Sequence, residues 1–294
     1  MPSFTDMITD EEKNKVMPRT LYLVATPIGN LADMSARAIK VLMGVDIVAA
    51  EDTRNTQRLL SYFDIHGKEL ISYYEHNKRE RGEIIAAKIE AGASCALVTD
   101  AGTAAISDPG EDLVKLCAER GIAVSAVPGC CAAINALSLS GLSTGRFCFE
   151  GFLSTNARER KKRLEELASE TRTMIFYEAP HKLRKTLDDL FAFFGNRRIS
   201  LCREMTKLNE EIMRTDLSSA ISYYLENEPR GEYVLVLEGG SSLPASNGWF
   251  TSLSSEEHVA HYEAQGLSRM DAIKAAAKDL GISKSALYKT LLED

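Results

Sequence analysis

Short apolar runs alternate with amphipathic stretches along the first half of the chain. Leu21–Ala25, Asp46–Ala50, Cys95–Thr99 and Ala123–Val127 are brief, apolar and closed by turn-forming residues, which predicts strands. Between them Met34–Met43, Thr53–Tyr62, Arg81–Ala91 and Glu111–Glu119 carry helical spacing. In the last of these Leu113, Val114, Leu116 and Cys117 share one face and Gly121 ends the segment. Strand and helix in alternation imply an α/β layer on a largely parallel sheet, over residues 19–129.

A second α/β unit is expected over residues 130–240. Its strands are Phe147–Phe152, Thr173–Tyr177, Ile199–Arg203 and Tyr233–Glu238, and its helices Ala157–Ala168, Pro180–Phe193 and Leu217–Leu225. A Gly/Ser-rich linker from Gly239 to Gly248 then leads to a small helical extension, residues 249–294, in which Arg269–Leu280, Gly281 and Ser283–Leu292 read as helix, turn and helix. That spacing resembles a DNA-reading helix-turn-helix, but any two short packed helices joined at Gly look alike, so packing or RNA docking is the expected role and DNA is not an expected partner.

Composition narrows the classes. The 294 residues suffice for two compact domains with a sizeable core. The first eighteen residues mix acids and lysines without an apolar segment, and the uncharged stretch Gly121–Gly145 is broken by Pro128-Gly129, so no signal or membrane span is expected and the cytoplasm is the default address. Six cysteines form no C-x-x-C pair and lack histidines at zinc spacing, so no metal site is expected. A net charge of −7 argues against a protein that coats nucleic acid, while the runs at Lys78–Arg81, Arg158–Arg163 and Arg197-Arg198 leave room for local basic faces.

Three Gly-containing loops follow predicted strands: Thr26–Leu31, Thr99–Gly110 and Val127–Ala133. Each alone is only a turn. Three at consecutive strand ends mark the edge where open α/β sheets bind ligands. No G-x-G-x-x-G follows a strand and no G-x-x-x-x-G-K-[ST] occurs, which disfavours dinucleotide and P-loop enzymes. The loops do not by themselves name a ligand.

Longer motifs do carry a resemblance. The segments from Leu21 to Leu60, DAGTAAISDPG (Asp100–Gly110), VPGCCAAINALSLSGL (Val127–Leu142), FYEAPHKL (Phe176–Leu183) and CREMTK (Cys202–Lys207) together resemble the bacterial ribosomal RNA small-subunit methyltransferase I family of the tetrapyrrole-methylase superfamily. The similarity runs in order from about Thr20 to Gly239. It implies two α/β domains with S-adenosylmethionine in the cleft between them, and 2′-O-methylation of a cytidine ribose near the decoding site of small-subunit ribosomal RNA. Pro27, Gly29, Asp100, Ala101, Gly102, Ile106, Ser107, Cys131, Ala132 and Tyr177 are the implied cofactor contacts. The resemblance also implies a homodimer. Two positions depart from the family wording: Ala104 replaces a usual Pro, and Asn135 stands near a usual Thr or Ser.

Transfer to a hydroxyl needs alignment and a proton acceptor. Glu51, Asp52 and His76 are the candidate acceptors, and Arg54 the candidate partner of a carboxylate or an RNA phosphate. Capping of the helix from Thr53 is the alternative role of Asp52. A tetrapyrrole C-methylase and a non-catalytic RNA-binding assembly factor are the alternative functions. The RNA-type motifs and basic runs weigh against the first, and the complete Asp100–Gly110 loop against the second.

Overall fold

The computed structural model describes residues 15–240, 253–280, 282 and 284–293. Most of the Gly239–Gly248 linker, the start of the extension at 249 and the turn residues Gly281 and Ser283 lie outside these. Five parallel strands build the first sheet: β1 (Thr20–Val24), β2 (Ile47–Ala50), β3 (Glu69–Ser72), β4 (Cys95–Val98) and β5 (Ala123–Val127), in the order β3-β2-β4-β1-β5. Alternate side chains face opposite ways. Tyr22, Val24, Val48 and Ala96 pack beneath α1 (Ala36–Gly44) and α2 (Thr53–Tyr62). Leu21, Ile47, Ala49 and Leu97 pack against α3 (Lys78–Glu90) and α4 (Gly110–Glu119).

The stretch from Gly121 to Gly145 resolves into β5, the Pro128-Gly129 turn and α5 (Ala132–Leu139). Helix α5 packs on the second sheet, with Ala133, Ala136 and Leu137 against Ile175, Val234 and Val236. That sheet holds β6 (Phe147–Phe152), β7 (Thr173–Glu178), β8 (Arg198–Arg203), β9 (Glu211–Asp216) and β10 (Tyr233–Leu237), ordered β6-β7-β10-β8-β9. Only β6 and β7 pair parallel; the other neighbours are antiparallel. Its other face is covered by α6 (Ala157–Leu167), α7 (Leu183–Phe194) and α8 (Leu217–Glu226) around Met174, Phe176, Leu201 and Leu235. The helix expected from Pro180 begins with a separate 3₁₀ turn, Pro180–Lys182.

The extension holds one helix more than the periodicity implied. Helix α9 (Ser255–Ala264), opened by a capping box at Ser254 and Glu257, packs with α10 (Arg269–Asp279) and α11 (Lys284–Glu293) around Val259, Ile273, Ala276 and Leu287. Among the described residues no helix is long and apolar enough to cross a membrane.

Two of the basic runs are partly neutralised, although Arg158, Lys161 and Lys162 stay exposed. Arg160 turns inward, with its side chain 8% exposed and paired with Asp189 at 2.6 Å, while Arg163 pairs with Glu150 and Glu166. Arg197 donates to the carbonyls of Phe194, Ala168 and Glu238, and Arg198 pairs with Glu238.

Candidate active site between the two sheets

In a parallel sheet all strands point their carboxyl ends to one edge, and ligands settle where the outgoing connections diverge. Here β2 connects outward to β3 while the neighbouring β4 connects the other way, to β5. The crevice therefore opens between Glu51 after β2 and Thr99-Asp100 after β4. Loop contacts stiffen its rim. Thr26 and Gly102 exchange backbone hydrogen bonds of 2.9 and 3.0 Å, and the Thr26 hydroxyl donates to the Thr99 carbonyl. The Thr103 hydroxyl donates to the carbonyl of Cys130, tying the second loop to the third.

Two cavities flank this bridged rim: Ile28 and the run from Ala101 to Thr103 line one, Thr26, Pro27, Gly29 and Asp100 the other, and Thr99 lines both. The first, about 300 Å3, lies between the sheets and is lined by Ile28, Ala101, Gly102, Thr103, Ile106, Ser107, Asp108, Cys131 and Ala132 from the first three loops. The second layer contributes Phe152, Tyr177, Glu178, Glu204, Met205 and Val234. The other cavity, about 440 Å3, takes Pro27, Gly29 and Asp100 together with the outer face of α2. Of the ten implied cofactor contacts, seven thus line the inter-sheet cavity and three the neighbouring one. Glu51 also lines the inter-sheet cavity.

Two glycines are required by geometry. A Cβ on Gly29 would collide with Lys207 Cγ and come within 3.1 Å of the Met205 carbonyl, so a side chain there would force the first loop and the second layer to shift apart. Gly102 has φ of +88°, and a Cβ there would touch Ile28 at 3.4 Å. The same loop holds Ala105 and Ser107 at positive φ, a strained arrangement of the kind that gathers at ligand sites. Ala104 is buried beneath that loop against the core of the first sheet. Gly102→Val forces a β-branched residue into a left-handed conformation and disturbs the Thr26 bridge. We expect cofactor affinity to fall by about 5- to 150-fold, from a strain of order 1–3 kcal/mol; calorimetric titration checks it.

The electrostatics are uneven. Burial and the nearby carboxylates of Asp100, Asp108 and Asp52 raise the pKa of Glu51, the profile of a proton acceptor. Asp108 uses Oδ1 to accept from the amides of Ala105 and Gly110, at 3.1 and 2.7 Å, while its buried Oδ2 has no partner among the described residues. Burial pushes the Tyr177 hydroxyl up to about 12, and its ring packs edge-on against Phe149 and Phe152. Glu178, 4% exposed, accepts from the Ala179 amide and from the Thr186 hydroxyl, which itself accepts from Arg160 at 2.8 Å.

The remaining sequence candidates sit apart from the inter-sheet cavity. Asp52 caps α2 by accepting from the Arg54 amide at 2.8 Å, and the Arg54 guanidinium holds its carboxyl down at about 2. Arg54 is itself 85% exposed. His76 lies on the exposed turn after β3, edge-on to Tyr74, and lines neither cavity. Sequence reasoning named neither Phe152 nor Glu232 as site residues, and quoted the Cys202–Lys207 motif without assigning it a role. That motif was the available signal: Glu204 and Thr206 have positive φ, and Lys207 bridges Glu204 and Glu232. No group of three or more His, Cys, Asp or Glu among the described residues is arranged to hold a metal ion.

Residues 20–221 match the family of tetrapyrrole (corrin/porphyrin) methylases. The chain is 47% identical over 270 residues to the ribosomal RNA small subunit methyltransferase I of Halalkalibacterium halodurans, covering 92% of this chain and 93% of that one. It is 43% identical over 280 residues to the same-named protein of Escherichia coli O157:H7, covering 93% and 94%. Among solved structures, a diphthine synthase superimposes with a TM-score of 0.57 at 12% identity, covering 74% of this chain and 90% of the other. The uroporphyrin-III C-methyl transferase of Thermus thermophilus complexed with S-adenyl homocysteine gives 0.54 at 16%, covering 74% and 97%. At such identities the structural likeness concerns the fold.

Proposed function

Because the chain belongs to the ribosomal RNA small subunit methyltransferase I family, within the tetrapyrrole methylases, we propose that it methylates the 2′-oxygen of a cytidine ribose near the decoding site of small-subunit ribosomal RNA. The donor is S-adenosylmethionine. The observation that carries the reading is the cavity between the two sheets, which brings a raised-pKa carboxylate together with a surface suited to adenosine.

The residues present fit that cofactor. Ile28, Ile106, Phe152 and Tyr177 offer apolar contact for a flat base, while Thr103, Ser107 and the unpartnered Asp108 Oδ2 offer polar partners. Bound there, the cofactor supplies an electrophilic methyl group on a sulfonium. Everything else falls to the protein. The bridged loops hold the rim in one geometry, so alignment is built before the substrate arrives. Glu51 at the rim accepts the hydroxyl proton, and its raised affinity for protons suits it to the task. Asp52 and Arg54 set the start of α2 beside it.

The reading includes a homodimer working in the cytoplasm; sedimentation of the purified chain tests the first point. The function is tested by transfer of labelled methyl from S-adenosylmethionine to small subunits lacking the modification, with nuclease mapping. Label on a cytidine ribose in the decoding region is expected. Absence of label despite cofactor binding would move the acceptor to a tetrapyrrole or another small molecule.

A further inference from the structure

The second cavity takes three of the implied cofactor contacts, Pro27, Gly29 and Asp100, away from the inter-sheet cavity; it shares Thr99 with the first and lies across the bridged rim from it. Its outer side is a helical stripe of α2, Asn55, Arg58, Leu59 and Tyr62, at the spacing that brings residues onto one face. Two features of that stripe bear on what the cavity could hold. Tyr62 is 64% exposed, with its ring backed edge-on by Phe63 at 5.0 Å. Arg58, one turn earlier, is exposed and in no ion pair among the described residues. Across the cavity Asp100 presents a carboxylate, and Asn55 Nδ2 donates to its Oδ2 at 3.3 Å.

A supported aromatic plane, an unpaired guanidinium and a carboxylate–carboxamide pair on one cavity match the parts of a nucleotide. We propose that this cavity is the acceptor-base subsite and that it reads cytosine against uracil, an inference that rests on the RNA methyltransferase reading above. Tyr62 stacks on the base and Arg58 meets a neighbouring phosphate. The Asp100 carboxylate accepts from the exocyclic amino group of cytosine, while Asn55 donates to an acceptor on the same base edge. Uracil sets a carbonyl oxygen against Asp100, two acceptors face to face. Discrimination thus follows from a mismatch rather than from size.

The test compares methyl transfer to small subunits carrying cytidine or uridine at the target position. The unsubstituted enzyme is expected to favour cytidine. Asp100→Asn, which can turn an amide donor toward the uracil oxygen, is expected to lower the cytidine-to-uridine ratio of kcat/KM on the order of 10-fold or more, with cofactor affinity measured alongside by calorimetry. Tyr62→Ala is expected to raise KM for the subunit on the order of 10-fold with kcat held, and Tyr62→Phe to restore it. An unaltered ratio in Asp100→Asn, or an unaltered KM in Tyr62→Ala, would overturn the subsite while leaving the function standing. Loss of cofactor affinity in Asp100→Asn with discrimination intact would likewise overturn it, returning Asp100 to the donor site. No transfer by the unsubstituted enzyme would remove the function and the subsite together.

Discussion

Glu51→Gln is expected to slow methyl transfer by about 10²-fold while making the protein more stable at neutral pH. The two effects share one cause. Partial desolvation at the cavity rim, where Glu51 still reaches solvent, then the carboxylates of Asp100, Asp108 and Asp52, raise the pKa of Glu51 above the ordinary glutamate value. A carboxyl whose pKa is raised by folding helps the fold most when protonated. That contribution is complete below the unfolded pKa and is lost as pH rises through the folded one. At neutral pH the ionised group is therefore a liability that the fold tolerates, and glutamine removes it with little change of shape. The rate responds in the opposite sense, since only the carboxylate accepts a proton. Turnover of the unsubstituted enzyme should climb with pH through the raised pKa and then level off, and that limb should be missing in Glu51→Gln. Single-turnover rates across pH and melting curves at pH 7 check both halves. A stabilised variant with full activity would remove Glu51 from the chemistry, leaving alignment as the main source of rate.

Thr186→Val is expected to destabilise the second layer by about 3 kcal/mol, because a buried charged group left without its partner loses at least this much. The hydroxyl is the middle of a chain. It accepts from Arg160 at 2.8 Å and donates to the Glu178 carboxylate, both residues being less than a tenth exposed. Valine keeps the shape and removes both contacts. Arg160 retains Asp189 at 2.6 Å, but Glu178 keeps only the Ala179 amide on its other oxygen, at 2.9 Å. Glu178 also lines the inter-sheet cavity, so cofactor affinity should fall along with stability. Urea unfolding measures the first effect and calorimetry the second, with Thr186→Ser as the control that keeps the hydroxyl. A loss under about 1 kcal/mol, the net worth of one ordinary hydrogen bond, would show that the two charges find other partners.

What could be read from the chain follows a physical line. Central strands such as Cys95–Val98 and Tyr233–Leu237 are covered on both faces and show as continuous apolar runs. The two strands that escaped detection, Glu69–Ser72 and Glu211–Asp216, are both sheet edges. An edge strand meets one neighbour and keeps charged residues to stay soluble, so its alternation is faint. Helix α9 was hidden likewise: its sequence, SEEHVAHYEA, buries only His258 and Val259. The basic run Arg158–Arg163 shows the converse error, because charge along a helix does not reveal which member turns inward. Arg160 does, since Asp189 and Thr186 arrive from α7, far off in sequence.

For the site the division is sharper. By itself the sequence determined that three glycine-containing loops follow strands of one parallel layer and so face one edge, and its motifs determined the family, because turn chemistry and motif spacing are local properties. Only the tertiary structure decided which side of the rim each residue occupies, sending Ile28 and Gly102 into one cavity and Pro27 and Asp100 into the other. It also left His76 outside both cavities, whereas the Asp52 cap, made to an amide two residues on, was a local possibility already open in the sequence. The division of the rim goes with the Thr26–Gly102 bridge and with the approach of the Met205–Lys207 turn to Gly29. Both contacts join segments far apart along the chain, and no local pattern records which way a side chain points once such segments meet.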